Sequence, residues 1–397
     1  MRRALIIGGT GLIGRAVASR LIAAGWQVDL TGRNAARMPA SLMAAGARFV
    51  TVDRSDDAAL LAAAGDGADL IVDCLCYTAA DAARLAPLAR AANSAVMISS
   101  NAVYVDAAGY HTNSETSPNF GRPVREDQPT MAPSASADYQ SRDGYGACKV
   151  AAEQVLLDSG APVTVLRPGK IHGPWAARPR EWVFVKRVLD RRPAVFLARR
   201  GTGVAQTVAA DNVAALIEAV AEKPGRRILN SADPDAPSAL EIARTIAGLL
   251  GHSWDEVLLD DPAQEASLAK PTEPAGPAKP SGPANPSGSA KPSDPAKPSG
   301  PAGPAMSARE AKPADPALGR HPWQARFPIV LEMTAALELG YIPAGDYAST
   351  VAGEVEWLVS AAAGHAGEQA LAWLSDGYFD SYLDYASEDR YLAKQAG

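Results

Sequence analysis

Four apolar residues, Ala4 to Ile7, run straight into a cluster of glycines at Gly8, Gly9 and Gly11. From Leu12 to Ala24 the apolar positions then recur at the three-to-four-residue spacing of an amphipathic helix. The alternation continues: Gln27 to Thr31, Arg48 to Val52, Asp69 to Leu75 and Ala95 to Ser100 read as strands, separated by Ala-rich helical stretches. Strands that alternate with helices predict an α/β fold, a doubly wound parallel sheet whose ligand crevice lies at the carboxyl ends of its strands. Those ends carry the Gly8 turn, Thr31-Gly32-Arg33, Asp53, Leu75 to Tyr77 and Ser99-Ser100.

From Asp106 to Asp143 the pattern gives way to a polar, Pro- and Gly-bearing stretch, a loop of a length that is more often functional or mobile than idle. Helix returns from Gly144 to Ser159, and a strand from Val163 to Arg167 runs into Pro-Gly-Lys-Ile-His-Gly-Pro174. Helices follow at Arg180 to about Asp190, Asp211 to Ala221 and Ser238 to Leu250, with strands at Ala194 to Leu197 and Arg227 to Asn230. Residues 262–318 repeat variants of Ala-Lys-Pro-Ser-Gly-Pro with almost no large apolar side chains. Burial there cannot offset the entropy of ordering, which predicts a disordered insertion. Phe327 to Leu339 and Tyr347 to Ser360 again look helical, so the insertion interrupts a lobe and does not join two domains. The expected organisation is a nucleotide-binding domain at 1–168, to which 205–230 returns, and a smaller substrate lobe at 169–261 and 319–361. An aromatic tail at 362–397 packs on the body or on a partner chain.

Composition narrows the class. Lys plus Arg total 38 against 44 Asp plus Glu, a net charge of -6 over 397 residues, which counts against nucleic acid and anionic membranes as partners. No run of about 18 apolar residues suggests a membrane span. The chain opens on a core strand, not a secretory signal, and Cys74, Cys76 and Cys148 make no paired framework, so a reducing cytoplasm is the expected compartment. His111, His172, His252, His321 and His365 are scattered without metal-ligand spacing, and no metal is expected.

Gly8, Gly9, Gly11 and Gly14 satisfy both GxxGxxG and GxGxxG between a strand and a helix. Such glycines permit a sharp turn and let backbone approach a pyrophosphate, which the free N–H groups of the helix N-terminus then stabilise. Gly8, Thr10, Gly11, Leu12, Ile13 and Gly14 are therefore the expected dinucleotide contacts. At the second strand end an acidic residue would bind ribose hydroxyls, whereas arginine receives a 2′-phosphate; Arg33 stands there and favours NADP over NAD, with Asp53 at the third strand end as a further contact. Tyr145 and Lys149 lie four apart on one helical face. A tyrosine base at pH 7 needs roughly three pKa units, or about 4 kcal/mol, and an ammonium about 5 Å away gives roughly 3 kcal/mol at an effective dielectric near 20. The pair is thus suited to moving a hydroxyl proton during hydride transfer.

These segments together resemble the extended short-chain dehydrogenase/reductases, the NAD(P)-dependent epimerase/dehydratase family. The likeness rests on Gly-Gly-Thr-Gly-Leu-Ile-Gly14, Ile98-Ser-Ser-Asn-Ala-Val-Tyr104, Tyr145-Gly-Ala-Cys-Lys149 and Leu166-Arg-Pro-Gly-Lys-Ile-His-Gly-Pro174. It implies a Rossmann-type fold, Ser100 bonded to the substrate oxygen, Tyr145 as acid/base, and Lys149 on the nicotinamide ribose. Arg167 to Pro174, with Pro168, would close over the nicotinamide. The substrate implied is a small alcohol, ketone or sugar-like molecule; the sequence leaves open whether the chain forms a homodimer.

The family's small-residue turn after the fourth strand is here Cys74-Leu75-Cys76-Tyr77. Where sugar-nucleotide relatives hold a diphosphate with asparagine and arginine, this chain has Gly169 and Ala205, although Arg178, Arg180, Arg187, Arg199 or Arg200 can compensate. The stretch from Arg178 to Pro262 also resembles the chloroplast stem-loop RNA-binding proteins of this superfamily, which makes a non-catalytic NAD(P)- or RNA-binding protein the alternative reading. In those relatives the catalytic tyrosine is typically lost, whereas Ser100, Tyr145 and Lys149 are all present here.

Overall fold

The computed structural model describes residues 1–65, 67–136, 138–260, 308–311, 318–364 and 377–396. Its strands are β1 (Arg3–Ile7), β2 (Gln27–Gly32), β3 (Arg48–Thr51), β4 (Leu70–Asp73), β5 (Ser94–Ile98), β6 (Val163–Pro168), β7 (Lys170–His172), β8 (Ala194–Leu197), β9 (Thr207–Ala209), β10 (Arg227–Ser231), β11 (Asp255–Leu259) and β12 (Ala308–Ala311). Its helices are α1 (Leu12–Ala23), α2 (Ala40–Ala44), α3 (Asp57–Ala64), α4 (Ala79–Ala91), α5 (Arg142–Asp158), α6 (Trp182–Leu189), α7 (Ala210–Glu222), α8 (Ala239–Leu249), α9 (Thr334–Glu338), α10 (Tyr347–Ala362) and α11 (Tyr385–Ala396). None of these is long and apolar enough to cross a membrane.

Seven parallel strands form the main sheet in the order β3-β2-β1-β4-β5-β6-β10. Strand order reverses direction between β1 and β4, the switch point at which a Rossmann-type sheet opens its crevice. Successive residues of β1 serve opposite faces: Ala4 and Ile6 pack with α1 and α7, Leu5 and Ile7 with α3, α4 and α5. A strand buried on both sides must be apolar throughout, hence the unbroken run that announces it in the sequence.

The second lobe holds a three-stranded parallel sheet, β12-β11-β8, and a core of Trp182, Phe184, Ile242, Ile246, Trp323, Val351 and Leu358. Between the lobes β7 pairs with β9, Lys170 opposite Thr207 and His172 opposite Ala209. The tail packs on the body: Arg187 Nη2 donates to Glu388 Oε1 at 2.6 Å and to the Tyr382 carbonyl at 2.8 Å, and the Tyr391 ring meets the Phe196 ring edge-on.

One expectation changes. The stretch from Phe327 to Leu339 is helical only at α9; upstream, Ile329 bridges Ala205 and Leu331 bridges Val124. At the start of the 106–143 loop, Asp106 accepts from the amides of Ala108, Tyr110 and Asn119 at 2.8–2.9 Å and fixes the turn there. Most of the expected disordered insertion lies outside the described residues, but Ala308–Ala311 within it is β12, paired with β11.

Candidate active site

The glycine turn is closed everywhere except on the side a ligand would use. Gly8 has φ +78°, and a Cβ there would lie 2.6 Å from Leu75 Cγ; a Cβ on Gly14 would lie 2.5 Å from the Gly9 Cα. Gly11 is exposed and would meet only the Gly8 carbonyl, at 3.5 Å. It caps α1 without a side-chain hydrogen bond, so the first amides of that helix are left for an outside acceptor. The turn therefore fits a dinucleotide pyrophosphate. Thr10, Leu12 and Ile13 border it, and the Thr10 carbonyl accepts from Arg15 Nε at 2.7 Å.

Just beyond β2, Arg33 is exposed, on the same segment as Arg37. Burial, then repulsion from Arg37, lowers the pKa of Arg15, which brings a third guanidinium to this corner. The charge of Arg33 reaches Asp53 at the end of the neighbouring strand. Asp53 is exposed and accepts from the Ser55 amide at 3.0 Å and hydroxyl at 2.7 Å, bonds that hold its carboxyl below the usual range.

Across the crevice, Ser141 caps α5 by accepting from the Gly144 amide at 3.0 Å, which starts the helix about one turn ahead of Tyr145. Lys149 is buried, and its Nζ donates to the carbonyls of Cys76 and Ile98, both at 2.8 Å, tying α5 to the ends of β4 and β5. The ammonium lies 4.3 Å from the Tyr77 ring centroid and 5.9 Å from that of Tyr145. Burial lowers its pKa to about 8. Burial raises Tyr145 above its usual value, and a hydrogen bond with Ser100 pulls it the other way. Burial outweighs the hydrogen bond, a different balance from the lysine-lowered tyrosine that the spacing suggests.

Neighbouring serines at the end of β5 go to opposite fates. Ser99 is buried and donates to Glu153 Oε1 at 2.5 Å; Glu153 in turn accepts from Arg167 Nη2 at 2.5 Å and Nε at 3.1 Å. Ser100 is half-buried on the crevice side, next to Tyr145, its Oγ accepting from the Ala102 amide at 3.1 Å. Pro168 closes β6 opposite Ser231. Tyr77, which sequence reasoning did not single out as a site residue, stacks on Tyr139 at 4.9 Å and completes the wall around Lys149. Its only sequence signal is its place just beyond the fourth strand.

Lys149 also supplies a pH test. The folded chain releases its proton near pH 8 and the unfolded chain near 10.5, so unfolded chains bind more protons in between and stability rises with pH across that window. Lys149→Met is expected to gain most relative to the parent chain below about pH 8, with the advantage fading toward pH 10.5. Urea denaturation at pH 7, 9 and 10.5 checks this; a difference independent of pH removes the buried charge as its cause.

Residues 4–231 match the NAD dependent epimerase/dehydratase family, and the chain belongs to that family of nicotinamide-dependent enzymes. No curated protein sequence matches the chain. Among solved structures, the NAD complex of dTDP-glucose 4,6-dehydratase from Bacillus anthracis is similar at 12% identity and TM-score 0.57, over 91% of this chain and 97% of that one. UDP-glucose 4-epimerase from Thermus thermophilus, with NAD, is similar at 18% identity and TM-score 0.55, over 90% and 99%. UDP-glucose 4-epimerase from Thermotoga maritima, with UDP-glucose, is similar at 15% identity and TM-score 0.58, over 91% and 99%. At these identities the likeness is one of fold.

Proposed function

We propose that the chain is an NADP-dependent oxidoreductase, epimerase or dehydratase acting at a carbinol or ketone carbon of a small hydroxylated molecule. The observation that carries this reading is the meeting of Ser100, Tyr145 and Lys149 at the strand ends beside the glycine turn. When bound, the nicotinamide supplies hydride exchange at the substrate carbon. Tyr145 gives its phenolic proton to the substrate oxygen in reduction and recovers it in oxidation, while Ser100 hydrogen-bonds that oxygen. Two of the three Lys149 ammonium hydrogens are used on carbonyls, leaving the third for a ribose hydroxyl. A metabolite-library screen that follows NADPH absorbance tests the reading; no turnover of any alcohol, ketone or sugar would return it to a non-catalytic binding role.

Arg33, Arg37 and Arg15 at one strand end support NADP over NAD. A charge-assisted phosphate contact corresponds to roughly a ten- to hundredfold preference. Fluorescence titration is expected to show that preference in the parent chain and its loss in Arg33→Ala; equal affinities in the parent chain remove Arg33 from the site.

The substrate is not a nucleotide-diphosphate sugar. A Cβ at Gly169 would lie 2.5 Å from the Gln206 carbonyl, so no asparagine fits there, and Ala205 is buried under the Ile329 bridge. Arg187, one of the candidate substitutes, is consumed by Glu388. Arg180 donates to the Ile171 carbonyl at 3.3 Å and remains half-buried in the lobe. Calorimetry of the NADP-loaded protein against UDP, dTDP, GDP and their hexose conjugates is expected to show no micromolar binding. Binding that weakens in Arg180→Ala would restore a sugar-nucleotide substrate.

A further inference from the structure

Three residues distant in sequence, one of them inside the Pro168 to Pro174 motif, meet in the interior. His172 closes β7, Glu181 precedes α6 and Glu354 lies on α10; each is buried, and a ligating atom from each lies within 4.8 Å of the others. Asp233 fixes the imidazole. It accepts from Thr207 Oγ1 at 2.6 Å, the Ala209 amide and Asn212 Nδ2 at 2.7 Å, and lies 3.1 Å from His172 Nε2. Such a fully supplied carboxylate holds a proton on Nε2 and leaves Nδ1 as the ring nitrogen that can give its lone pair to a metal. That Nδ1 has no hydrogen-bond partner and faces Glu354 Oε2 across 3.7 Å, while Glu354 Oε1 is buried with no partner either. Glu354 Oε2 accepts the Gly173 amide at 2.7 Å, and Glu181 Oε1 has the Tyr347 hydroxyl at 3.4 Å.

We propose that His172 Nδ1, Glu181 and Glu354 bind a structural divalent transition-metal ion, zinc being the best match, with Asp233 as the carboxylate that orients the histidine. An imidazole and two carboxylates are borderline-to-hard donors suited to zinc. Donors around 2.0–2.1 Å from a tetrahedral ion stand about 3.4 Å apart, close to the 3.7 Å seen between His172 and Glu354. Three carboxylates surround one imidazole, with Arg180 and Lys170 acting on the Glu181 side, and burying such charges is costly unless they are balanced. The ion would fasten the turn at His172 and Gly173 to α6 and α10, joining the cofactor side of the crevice to the second lobe. The carboxylate-histidine-metal arrangement is a recurrent way of setting tautomer and basicity.

The test uses the full chain, stripped with chelator and dialysed, with zinc content measured by plasma mass spectrometry and melting followed with added Zn²⁺ or Mg²⁺. About one zinc per chain and a melting point raised by zinc but not by magnesium are expected, with Glu181→Gln and Glu354→Gln each weakening zinc at least tenfold. Asp233→Asn is expected to weaken it ten- to a hundredfold. Should Glu354→Gln not fold, Glu181→Gln decides, because Glu181 caps no helix amide with its side chain. No zinc uptake by the parent chain, or unchanged zinc affinity in Glu181→Gln, overturns the proposal. Neither readout depends on turnover, so the result stands apart from the assignment of Tyr145.

Discussion

Replacing Tyr145 by Phe is expected to lower kcat at least a hundredfold while leaving NADP affinity within a few-fold. A positioned proton donor contributes roughly 10²–10⁴ in rate, and the phenol contributes no phosphate contact. Removing one oxygen leaves the ring in place near the wall that Tyr77 and Tyr139 build, so the fold should be unaffected. Because burial holds the proton on Tyr145, ketone reduction is expected to run at neutral pH and alcohol oxidation to accelerate as pH rises. Steady-state kinetics in both directions, with a cofactor titration of each protein, makes the comparison. Turnover retained in the variant would sink Tyr145 as the proton-transfer group, and a large loss of cofactor affinity would assign it to binding.

Glu153→Ala is expected to cost about 3–5 kcal/mol of stability, the usual consequence of leaving a buried charge without its partner. Glu153 and Arg167 are both buried, and Glu153 also accepts from Ser99. For Arg167, burial disfavours the charge, but Glu153 more than offsets this and holds the guanidinium above its ordinary value. Without Glu153 the Arg167 guanidinium is left with the Glu126 carbonyl at 3.3 Å and with the Tyr104 phenol, whose ring centroid lies 4.8 Å from its Cζ. The paired variant Glu153→Leu with Arg167→Met should lose far less, since it removes both charges. Urea denaturation of the three proteins decides; a single variant costing under about 1 kcal/mol would mean that water reaches the pair.

The main sheet was legible because strands buried on both faces leave unbroken apolar runs, and the glycine turn because its spacing has a physical purpose. Lys170–His172 and Thr207–Ala209 were not. Three-residue strands carry too little period to read, and their partners are far apart in sequence. The stretch around Ile329 misled for a different reason. Ile329, Leu331 and Met333 alternate with a strand's period of two, and Pro328 precedes them, but the apolar density of the longer stretch suggests a helix. At the crevice, Tyr145 and Lys149 were visible as a helical pair, whereas the carbonyls that hold Lys149 belong to the ends of two strands. The cluster of His172, Asp233, Glu181 and Glu354 leaves no spacing to read, because only the packing of four segments brings it together.

Parallel pairing of β11 and β12, Glu256 opposite Ala308 and Leu259 opposite Ala311, makes the chain between them a return path. It leaves one end of the strand pair and must re-enter at the other, about 10 Å back along the strands for three rises of roughly 3.3 Å. A crossover between adjacent parallel strands takes about a dozen residues, and each doubling of a flexible connection beyond that adds only about 0.6 kcal/mol. The position is therefore a port: the natural chain already carries a long passenger there, and a folded reporter whose termini lie close together can be grafted into it with the crevice on the main sheet left untouched.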